Sequence, residues 1–324
     1  MSVTINLGII GLGVMGFEML SVAAEHPDFN VLLCADIDSE SVSRAKDNYP
    51  QIQFTTSPSD VIDSKEIEAI YIATPPIFHA DYAIRAMRQS KAVFCEKPLA
   101  ISTSDGETMV EVAKQTNVAN ALNFALADRH AALEIERALK AGGVGDVRGV
   151  DVRLLFPKWP RDFQAGAAWL AGRQQGGFIR EVFSHFAYLT DRLLGPLTLK
   201  FAHMEFPAEN TTGSETVAYG LLNAGGVPIS VIGQTGVAVP ETYEWYLYGT
   251  RRSYCLRNWG ELLVSGGEDW TNVALDGERG SERTRLTAFA RAIRRERRDE
   301  LPDFAAGLRA LHIIEAFHRT EARS

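Results

Sequence analysis

Residues 5–16 read INLGIIGLGVMG, a short apolar run that passes directly into three glycines spaced G-x-G-x-x-G. An apolar run that ends in these glycines and opens a helix is the dinucleotide fingerprint of a Rossmann βαβ unit. Gly11 permits the tight turn, Gly13 lets a pyrophosphate approach the backbone, and Gly16 allows the helix to pack closely on the strand. The stretch therefore predicts a dinucleotide site at the start of the chain.

The helix that follows these glycines contributes its N-terminus to the same site. Its first turn, at Val14 and Met15, presents free N–H groups and a partial positive charge to phosphates. Asp36 lies twenty residues beyond the third glycine, where a carboxylate accepts hydrogen bonds from the adenosine ribose. That carboxylate would repel a 2′-phosphate, and Ile37 follows it rather than an arginine that could clamp one. The sequence predicts NAD over NADP, with Arg44 as a residue through which NADP could still bind.

The first third of the chain alternates short apolar runs with helical stretches. Such alternation predicts βαβ units and a doubly wound parallel sheet. The predicted strands are 5–10, 31–35, 51–55, 69–74, 92–95 and 118–123, and the predicted helices include 15–25, 79–89 and 104–115. We assign residues 1–123 to an NAD-binding Rossmann domain.

The pattern changes after residue 123. One helix, 129–141, ends at a pair of glycines, and the runs beyond it alternate without intervening helices. Consecutive alternating strands predict an open, mainly antiparallel sheet with one face covered. The predicted strands are 147–155, 197–205, 217–222, 228–235, 244–249 and 253–256, with helices at 178–194, 284–297 and 304–320. We assign residues 124–324 to an α+β domain for substrate binding and oligomerisation.

The composition argues against several other classes. The chain has 324 residues and a net charge of −8 at pH 7, which leaves no basic footprint for nucleic acid. Its three distant cysteines fit a reducing compartment. No apolar run approaches the ~20 residues that span a bilayer, and no Cys/His or His/Glu spacing resembles a metal site. We expect a cytoplasmic protein with a small-molecule substrate and no nucleic-acid, membrane or metal partner.

Motifs downstream of the fingerprint resemble one enzyme family. These motifs are Ala73-Thr74-Pro75-Pro76, His79, Cys95-Glu96-Lys97-Pro98-Leu99, Gly176-Gly177, the helix from Glu181 to His185, and Leu194-Gly195. Together they resemble the glucose–fructose oxidoreductase/inositol dehydrogenase (Gfo/Idh/MocA) family over essentially the whole chain. The resemblance implies hydride transfer between a nicotinamide and a hydroxyl or carbonyl carbon of a sugar, an inositol or a related small substrate.

The resemblance also implies roles for individual residues of the first domain. The implied cofactor contacts are Thr74, Pro75, His79, Glu96 and Lys97. Lys97 is the implied catalytic lysine, since its ammonium can donate to the substrate oxygen and relay the proton as hydride leaves. Pro98 would fix the turn through a cis peptide.

The second motif implies His185 and Glu181 as further catalytic residues. Four positions separate them, which places both on one face of an α-helix, and Glu181 would tune or orient His185. The family usually has an aspartate at the position of Glu181, and a further aspartate where this chain has Tyr188. These departures predict a different or more apolar substrate, for which we assign replacement contacts to Trp159, Arg161, Trp169, Arg173 and Arg180.

Three functions stay open on the sequence. The first is an NAD(P)-dependent dehydrogenase or reductase acting on CH–OH groups. The second is a redox-neutral lyase or glycosidase-like enzyme with tightly bound NAD, and the third is a non-catalytic nucleotide sensor. Retention of Lys97 and His185 argues against the sensor, which needs neither side chain. We expect a homodimer or homotetramer that forms through the C-terminal sheet.

Overall fold

A computed structural model describes residues 4–210, 212–297 and 300–319. The chain divides into two compact units, Met1–Phe124 with Ser281–Leu308, and Ala125–Gly280 with Arg309–Ser324. The first break falls one residue after the predicted boundary at 123. Residues 281–308, which the sequence analysis placed in the second domain, group with the first unit instead.

The first unit is built on a six-stranded parallel sheet. Its strands are β1 (Ile5–Ile10), β2 (Phe29–Ala35), β3 (Gln53–Thr55), β4 (Ala69–Ile72), β5 (Ala92–Cys95) and β6 (Asn120–Leu122). They lie in the order β3-β2-β1-β4-β5-β6, and every neighbouring pair is parallel. This doubly wound order is that of the Rossmann fold, so the predicted fold class is confirmed. Strands β4 and β5 are buried throughout, which explains their unbroken apolar sequences.

Five helices connect these strands. They are α1 (Val14–Ala24), α2 (Ser39–Asn48), α3 (Pro58–Asp63), α4 (His79–Arg88) and α5 (Thr103–Thr116). Side-chain caps fix the N-termini of two of these helices. Asp38 accepts hydrogen bonds from two backbone N–H groups of α2, and Ser102 accepts one from a backbone N–H group of α5. Helix α2 contains Arg44, at which a helix was expected, whereas α3 has only six residues and no pattern in the sequence predicted it.

The second unit contains an eight-stranded sheet. Its strands are β7 (Val147–Phe156), β8 (Leu197–Glu205), β9 (Val217–Ala224), β10 (Val227–Thr235), β11 (Thr242–Gly249), β12 (Ser253–Arg257), β13 (Glu261–Ser265) and β14 (Thr271–Asn272). They lie in the order β14-β13-β12-β11-β7-β10-β9-β8. Only β7 and β10 pair in parallel, which confirms the predicted mainly antiparallel sheet.

Helices pack on one face of this sheet. They are α6 (His130–Lys140) and α7 (Ser184–Leu194), which continues from a π-helical turn at Ile179–Phe183. Trp245 of β11 is fully buried beneath α7, and its Nε1 donates to Thr190 Oγ1 at 2.9 Å. Gly233 of β10 leaves room for Phe178, because a Cβ there would lie 2.2 Å from that ring. The covered face therefore lies against a continuous hydrophobic core that contains these aromatic side chains.

The opposite face of the sheet presents apolar side chains to the outside. Phe201 of β8 pairs with Leu221 of β9, and Tyr219 of β9 pairs with Ile232 of β10. All four side chains are exposed although they are large and hydrophobic. The expected homo-oligomer would use this surface, and that assignment stays a prediction.

Two helices close the chain, α8 (Glu282–Ile293) and α9 (Phe304–Arg319). The helix predicted over 284–297 ends earlier, since Arg295 adopts a left-handed φ of 61°. Helix α8 packs on the first sheet through Phe289, whose ring lies 5.2 Å from Phe94 and 6.4 Å from Phe29. This aromatic contact explains why residues 281–308 group with the first unit. Thr320, the predicted end of the last helix, lies outside the described residues.

Two negative observations apply to the described ranges. No helix within residues 4–210, 212–297 and 300–319 is long and apolar enough to cross a membrane. Within the same ranges, no three His, Cys, Asp or Glu side chains are arranged to hold a metal ion.

Replacing Phe289 by alanine is expected to destabilise the first unit strongly. The ring is fully buried between the sheet and α8, so its loss should lower the free energy of unfolding by about 3–5 kcal/mol. Urea unfolding would measure the change. Phe163→Ala is the matched control, because that ring is 64% exposed and its removal should cost below about 1 kcal/mol. Equal effects of the two substitutions would show that α8 does not anchor the first unit.

Candidate functional site

The three fingerprint glycines lie at the carboxyl edge of the first sheet. Gly11 has a φ of +97°, and a Cβ there would lie 2.5 Å from the carbonyl oxygen of Ala73. A Cβ on Gly16 would lie 1.9 Å from the carbonyl oxygen of Gly11. Packing alone therefore demands these two glycines. Gly13 differs, because a Cβ there would meet nothing within 4 Å, which leaves open space where a pyrophosphate approaches this turn.

Asp36 is fixed beside this turn. Its Oδ2 accepts from the Leu12 N–H at 2.6 Å, and its Oδ1 accepts from the Asp38 N–H at 2.9 Å. The carboxylate thereby stays at the end of β2, next to the start of α1, where a ribose contact is expected. Val14 and Met15 in the first turn of α1 are exposed, so this end of the helix faces outward from the core.

Thr74 carries an unsatisfied polar atom just beyond β4. Its Oγ1 is buried and has no hydrogen-bond partner among the residues that the structure describes. Leaving such a hydroxyl unbonded costs about 1–3 kcal/mol, and a polar atom of a bound dinucleotide would remove that cost. The glycine turn and Thr74 therefore fit an NAD-type cofactor. The residues that would hold it are the predicted Gly11, Gly13, Val14, Met15, Gly16, Asp36, Thr74 and Pro75, and these contacts stay predictions.

His79 is placed differently from a cofactor contact. The ring is fully buried, with Nδ1 2.8 Å from the Pro98 carbonyl and Nε2 2.9 Å from the Thr74 carbonyl. Burial lowers the pKa of His79, while the two carbonyl contacts oppose that shift. Because both ring nitrogens face the backbone, His79 joins the segment after β4 to the segment after β5. The geometry assigns it a positioning role.

Glu96 belongs to a buried network. Its Oε1 accepts from the Tyr71 hydroxyl and, at 2.7 Å, from Asn123 Nδ2. The same amide nitrogen lies 3.2 Å from Glu282 Oε2, and Glu282 pairs with Arg285. Burial raises the pKa of Glu96, Lys97 opposes the shift, and the Glu282 carboxylate adds to it. The residue before Lys97 is therefore tied to α8 rather than directed at a cofactor.

Lys97 follows β5 at the carboxyl edge of the sheet. It is partly exposed, whereas all other residues from Ala92 to Ala100 are buried. The Lys97–Pro98 peptide is cis, as the resemblance implied. A cationic side chain at this edge stands where open α/β sheets bind their ligands.

In the second unit, the Gly176-Gly177 motif is explained by a buried carboxylate. Gly177 has a φ of +93°, and a Cβ there would lie 2.1 Å from Glu215 Oε2. Glu215 Oε1 accepts from the Ile179 N–H at 2.7 Å, so the carboxylate caps the helical segment that carries Glu181. Burial raises the pKa of Glu215, and the Ile179 bond opposes the shift. No motif in the sequence predicts this role of Glu215, which lies far along the chain from Gly176-Gly177.

Arg161 organises a cluster around Glu181. Its Nη2 lies 3.5 Å from Glu181 Oε1, and Gln164 Nε2 donates to the same oxygen at 3.1 Å. Arg161 Nη1 donates to the Tyr243 hydroxyl at 2.8 Å, and its guanidinium lies 5.4 Å from the Trp159 ring centre. Burial lowers the pKa of Arg161, and Glu181 opposes the shift. Two predicted substrate residues, Trp159 and Arg161, thus lie close to Glu181. We call Trp159, Arg161, Gln164, Glu181 and Tyr243 the Arg161 cluster.

The local backbone at Glu181 differs from the expected α-helix. Residues Ile179–Phe183 form a π-helical turn, and the α-helix begins only at Ser184. Residues four apart share one face only in a helix with 3.6 residues per turn. The predicted shared face of Glu181 and His185 therefore does not hold across this junction. Such π turns are frequent at functional sites.

His185 is buried and has a defined tautomer. Its Nδ1 is 3.1 Å from the Ala125 N–H, which can only donate, so in the neutral ring the proton is on Nε2. The Trp259 ring lies 5.1 Å from His185 at an interplanar angle of 83°, and 5.1 Å from the Tyr243 ring. Contacts through Trp259 and Tyr243 therefore connect His185 to the Arg161 cluster.

Trp259 occupies a strained backbone position. It has a φ of 65° in the turn between β12 and β13, and the preceding Asn258 has a φ of 49°. Left-handed conformations cost non-glycine residues about 1–2 kcal/mol, and asparagine tolerates them better than a bulky aromatic residue does. The aromatic contacts of the indole offset this cost, since each such pair contributes about 0.5–1.5 kcal/mol.

The other predicted substrate residues make structural contacts. Arg180 is buried, pairs with Glu315 at 2.9 Å and donates to the Arg173 carbonyl at 2.8 Å. The Arg173 guanidinium lies 3.8 Å from the ring centre of Phe206. Trp169 is partly buried in a short 3-10 turn. Of the five proposed substrate contacts, Arg161 and Trp159 thus lie in the cluster around Glu181. Arg180 instead pairs with Glu315, and Arg173 packs on Phe206.

Sequence reasoning missed several residues of these clusters. They are Asn123, Gln164, Tyr243, Trp259 and Glu282. Only one left a local signal, since Asn258-Trp259-Gly260 between two alternating runs is typical of a hairpin turn. The others depend on contacts between distant segments.

Comparisons with known proteins agree with this geometry. Residues 5–124 match the family model GFO_IDH_MocA, described as an oxidoreductase family with an NAD-binding Rossmann fold. Residues 5–124 are thus similar to a Gfo/Idh/MocA domain. The resemblance carried by the motifs of the first unit is therefore confirmed. The matched segment begins at β1 and ends just after β6, so the motifs at Gly176-Gly177 and Glu181 to His185 lie outside it.

Several curated relatives match this chain over less than half of its length. Inositol 2-dehydrogenase of Salmonella typhimurium is 33% identical over 116 residues, which are 35% of this chain and 34% of the relative. 2,7-Anhydro-N-acetylneuraminate hydratase of Escherichia coli is 28% identical over 148 residues, 44% of this chain and 38% of the relative. The matched segments thus span less than half the length of these relatives.

A solved structure resembles the fold over nearly its whole length. Levoglucosan dehydrogenase in complex with NADH has a TM-score of 0.85 and 20% sequence identity, with 99% of this chain and 98% of that chain covered. At this identity the likeness concerns the fold of the first unit and of the second unit.

Replacing Glu96 by glutamine is expected to flatten the pH dependence of stability. The pKa of Glu96 is raised above its ordinary 4.5 in the folded protein, so its contribution is fully present below pH 4.5 and is lost as the pH rises through the folded value. Wild type should therefore lose more stability than Glu96→Gln between pH 5 and pH 8, as measured by urea unfolding. Glu278→Gln, at an exposed carboxyl, is the control. Parallel pH curves for wild type and Glu96→Gln would refute a raised pKa.

Proposed function

We propose that this protein is an NAD(P)-dependent dehydrogenase or reductase that acts on a CH–OH or ketone carbon of a sugar, an inositol or a related small ring substrate. The observation that carries the proposal is Lys97, a partly exposed cation at the carboxyl edge of a domain that is similar to a Gfo/Idh/MocA domain and whose glycine turn and Thr74 fit a dinucleotide. A relative named inositol 2-dehydrogenase and a structural neighbour named levoglucosan dehydrogenase support this substrate class.

The chain's own residues supply proton transfer and orientation. Bound NAD(P) supplies the hydride acceptor or donor, and the protein supplies binding and electrostatics. In the reductive direction, the carbonyl carbon of the substrate would take hydride and its oxygen would take a proton from the Lys97 ammonium, which gives the alcohol; oxidation reverses both changes and returns the proton to Lys97. The Lys97 ammonium also stabilises negative charge that develops on the substrate oxygen.

His185 is assigned a narrower role than the sequence predicted. Its Nδ1 already accepts from the Ala125 N–H, and its Nε2–H is the proton that the neutral ring can donate. We therefore assign His185 the role of a hydrogen-bond donor rather than of a proton carrier. The Glu181 carboxylate, which contacts Arg161 and Gln164, fixes the polar frame around the substrate.

A redox-neutral reaction is the second candidate. One relative is named a hydratase, and hydration involves no net oxidation or reduction. Cofactor that stays bound through purification, together with turnover that leaves the NADH absorbance unchanged, would favour this candidate.

Lys97→Met should lower turnover at least ~10²-fold while the Kd for NADH stays unchanged, because the variant loses only the proton carrier. NADH absorbance, recorded across a panel of sugars, inositols, polyols and hydroxy acids, measures turnover. Lys158→Met, at an exposed lysine, is the matched control and should behave as wild type. Turnover by Lys97→Met at the wild-type rate would remove Lys97 from the reaction.

NAD should bind at least about tenfold more tightly than NADP, a difference of about 1.4 kcal/mol. The fixed Asp36 carboxylate lies where it would repel a 2′-phosphate, and the next residue, Ile37, is 72% exposed and uncharged. The double variant Asp36→Ala with Ile37→Arg should reverse the preference. Fluorescence titration of both cofactors measures it; equal affinities for wild type would contradict this role of Asp36.

A further inference from the structure

The hairpin that joins β12 to β13 holds a tryptophan in a conformation that tryptophan rarely adopts. Arg257 and Glu261 pair across its base, with hydrogen bonds of 2.8 and 2.7 Å. Between them, Asn258 and Trp259 both have positive φ values of 49° and 65°. A glycine or a second asparagine would fit the position of Trp259 without strain. Strained residues of this kind persist where the surroundings hold them, and they cluster at ligand sites.

The surroundings of Trp259 in the second unit are aromatic. Its ring lies 5.6 Å from Phe186 at an interplanar angle of 27°, and 5.1 Å from Tyr243 at 45°. The third contact is with the edge of His185. Trp259 remains partly exposed despite these neighbours, whereas Phe186 beneath it is buried. The indole therefore forms the outer layer of an aromatic stack.

Polar groups lie beyond Tyr243, on one side of the Trp259 ring. The Tyr243 ring contacts Trp259, and its hydroxyl accepts from Arg161 at 2.8 Å. Arg161 in turn contacts Glu181, which also accepts from Gln164. The Trp259 ring contacts a histidine directly, and a guanidinium and a carboxylate follow beyond Tyr243. This arrangement matches a cyclic polyol, which has an apolar C–H face and a rim of hydroxyl groups.

We infer that Trp259 is a specificity-determining residue that stacks against the C–H face of a ring-shaped polyol substrate beside His185. The inference rests on the proposed function for its substrate class. A ring bound in this way brings a hydroxyl to the Nε2–H of His185, while Trp259 rejects acyclic substrates that have no flat C–H face. The strained φ of Trp259 is the cost of placing the indole over that site.

The experiment is ligand-observed saturation-transfer NMR with two probes, myo-inositol and levoglucosan, each in the presence of NADH. Wild type should saturate the ring C–H protons of at least one probe. Trp259→Leu should weaken that binding at least about tenfold, which is about 1.4 kcal/mol. In steady-state assays it should raise KM about tenfold and leave kcat within about threefold, with the Kd for NADH unchanged.

Two further variants separate binding from folding. Trp270→Leu removes a tryptophan that is 40% exposed and contacts Tyr246, and it should bind the probes as wild type does. Trp259→Gly should lose the probe as Trp259→Leu does, yet melt at a temperature no lower than that variant, because glycine relieves the positive φ. A Trp259→Gly protein that keeps the wild-type far-UV circular dichroism spectrum and melts cooperatively is folded in both units, so its loss of the probe reports on the indole.

The outcomes distinguish this inference from the proposed function. Probe binding that survives in Trp259→Leu overturns the role of Trp259 and leaves the dehydrogenase intact. Probe binding lost in Trp259→Leu, with no NADH formed by wild type, supports the stacking role and overturns the dehydrogenase. Wild type that binds neither probe, or that turns over only acyclic hydroxy acids, overturns the stacking role.

Discussion

The close approach of two glycines to neighbouring backbone sets the geometry of the first unit. A Cβ on Gly16 would lie 1.9 Å from the carbonyl oxygen of Gly11, and one on Gly11 would lie 2.5 Å from that of Ala73. These approaches hold α1 against β1 and bring the end of β4 beside the turn. Parallel pairing then places the ends of β2, β4 and β5 at one edge. The open space at Gly13, the unsatisfied hydroxyl of Thr74 and the cation of Lys97 all depend on that arrangement.

Buried carboxylates hold the functional segments of each unit in place. Glu96 binds Tyr71 and Asn123, and through Asn123 it reaches Glu282 on α8. Glu215 caps the helical segment that begins at Ile179. A buried carboxylate is costly unless hydrogen bonds satisfy it, so each of these groups fixes the segments that supply its donors. Glu96, the residue before Lys97, is thus held through Asn123 by α8. That helix belongs to the first unit although it lies almost 190 residues further along the chain.

The second unit departs at Glu181 from the family that its motif resembles. Glu181 stands where that family usually has an aspartate, lies in a π-helical turn, and contacts Arg161 and Gln164. His185 accepts from the Ala125 N–H and packs against Trp259. These contacts underlie the roles proposed for His185, as a hydrogen-bond donor, and for Trp259, as the residue that selects a ring.

The sequence by itself determined the glycine turn, the parallel and antiparallel sheets and the family, because these depend on local periodicity and on motifs that are contiguous in the chain. It predicted β1, β5 and β8 with the bounds that the structure gives. Only the tertiary structure decided that α8 packs with the first unit and that His79 bridges two backbone segments. It also decided that Arg161 joins Glu181 and that Trp259 covers His185. Those features are contacts between segments far apart in sequence, and side-chain type and spacing along the chain carry no information on which distant segments meet.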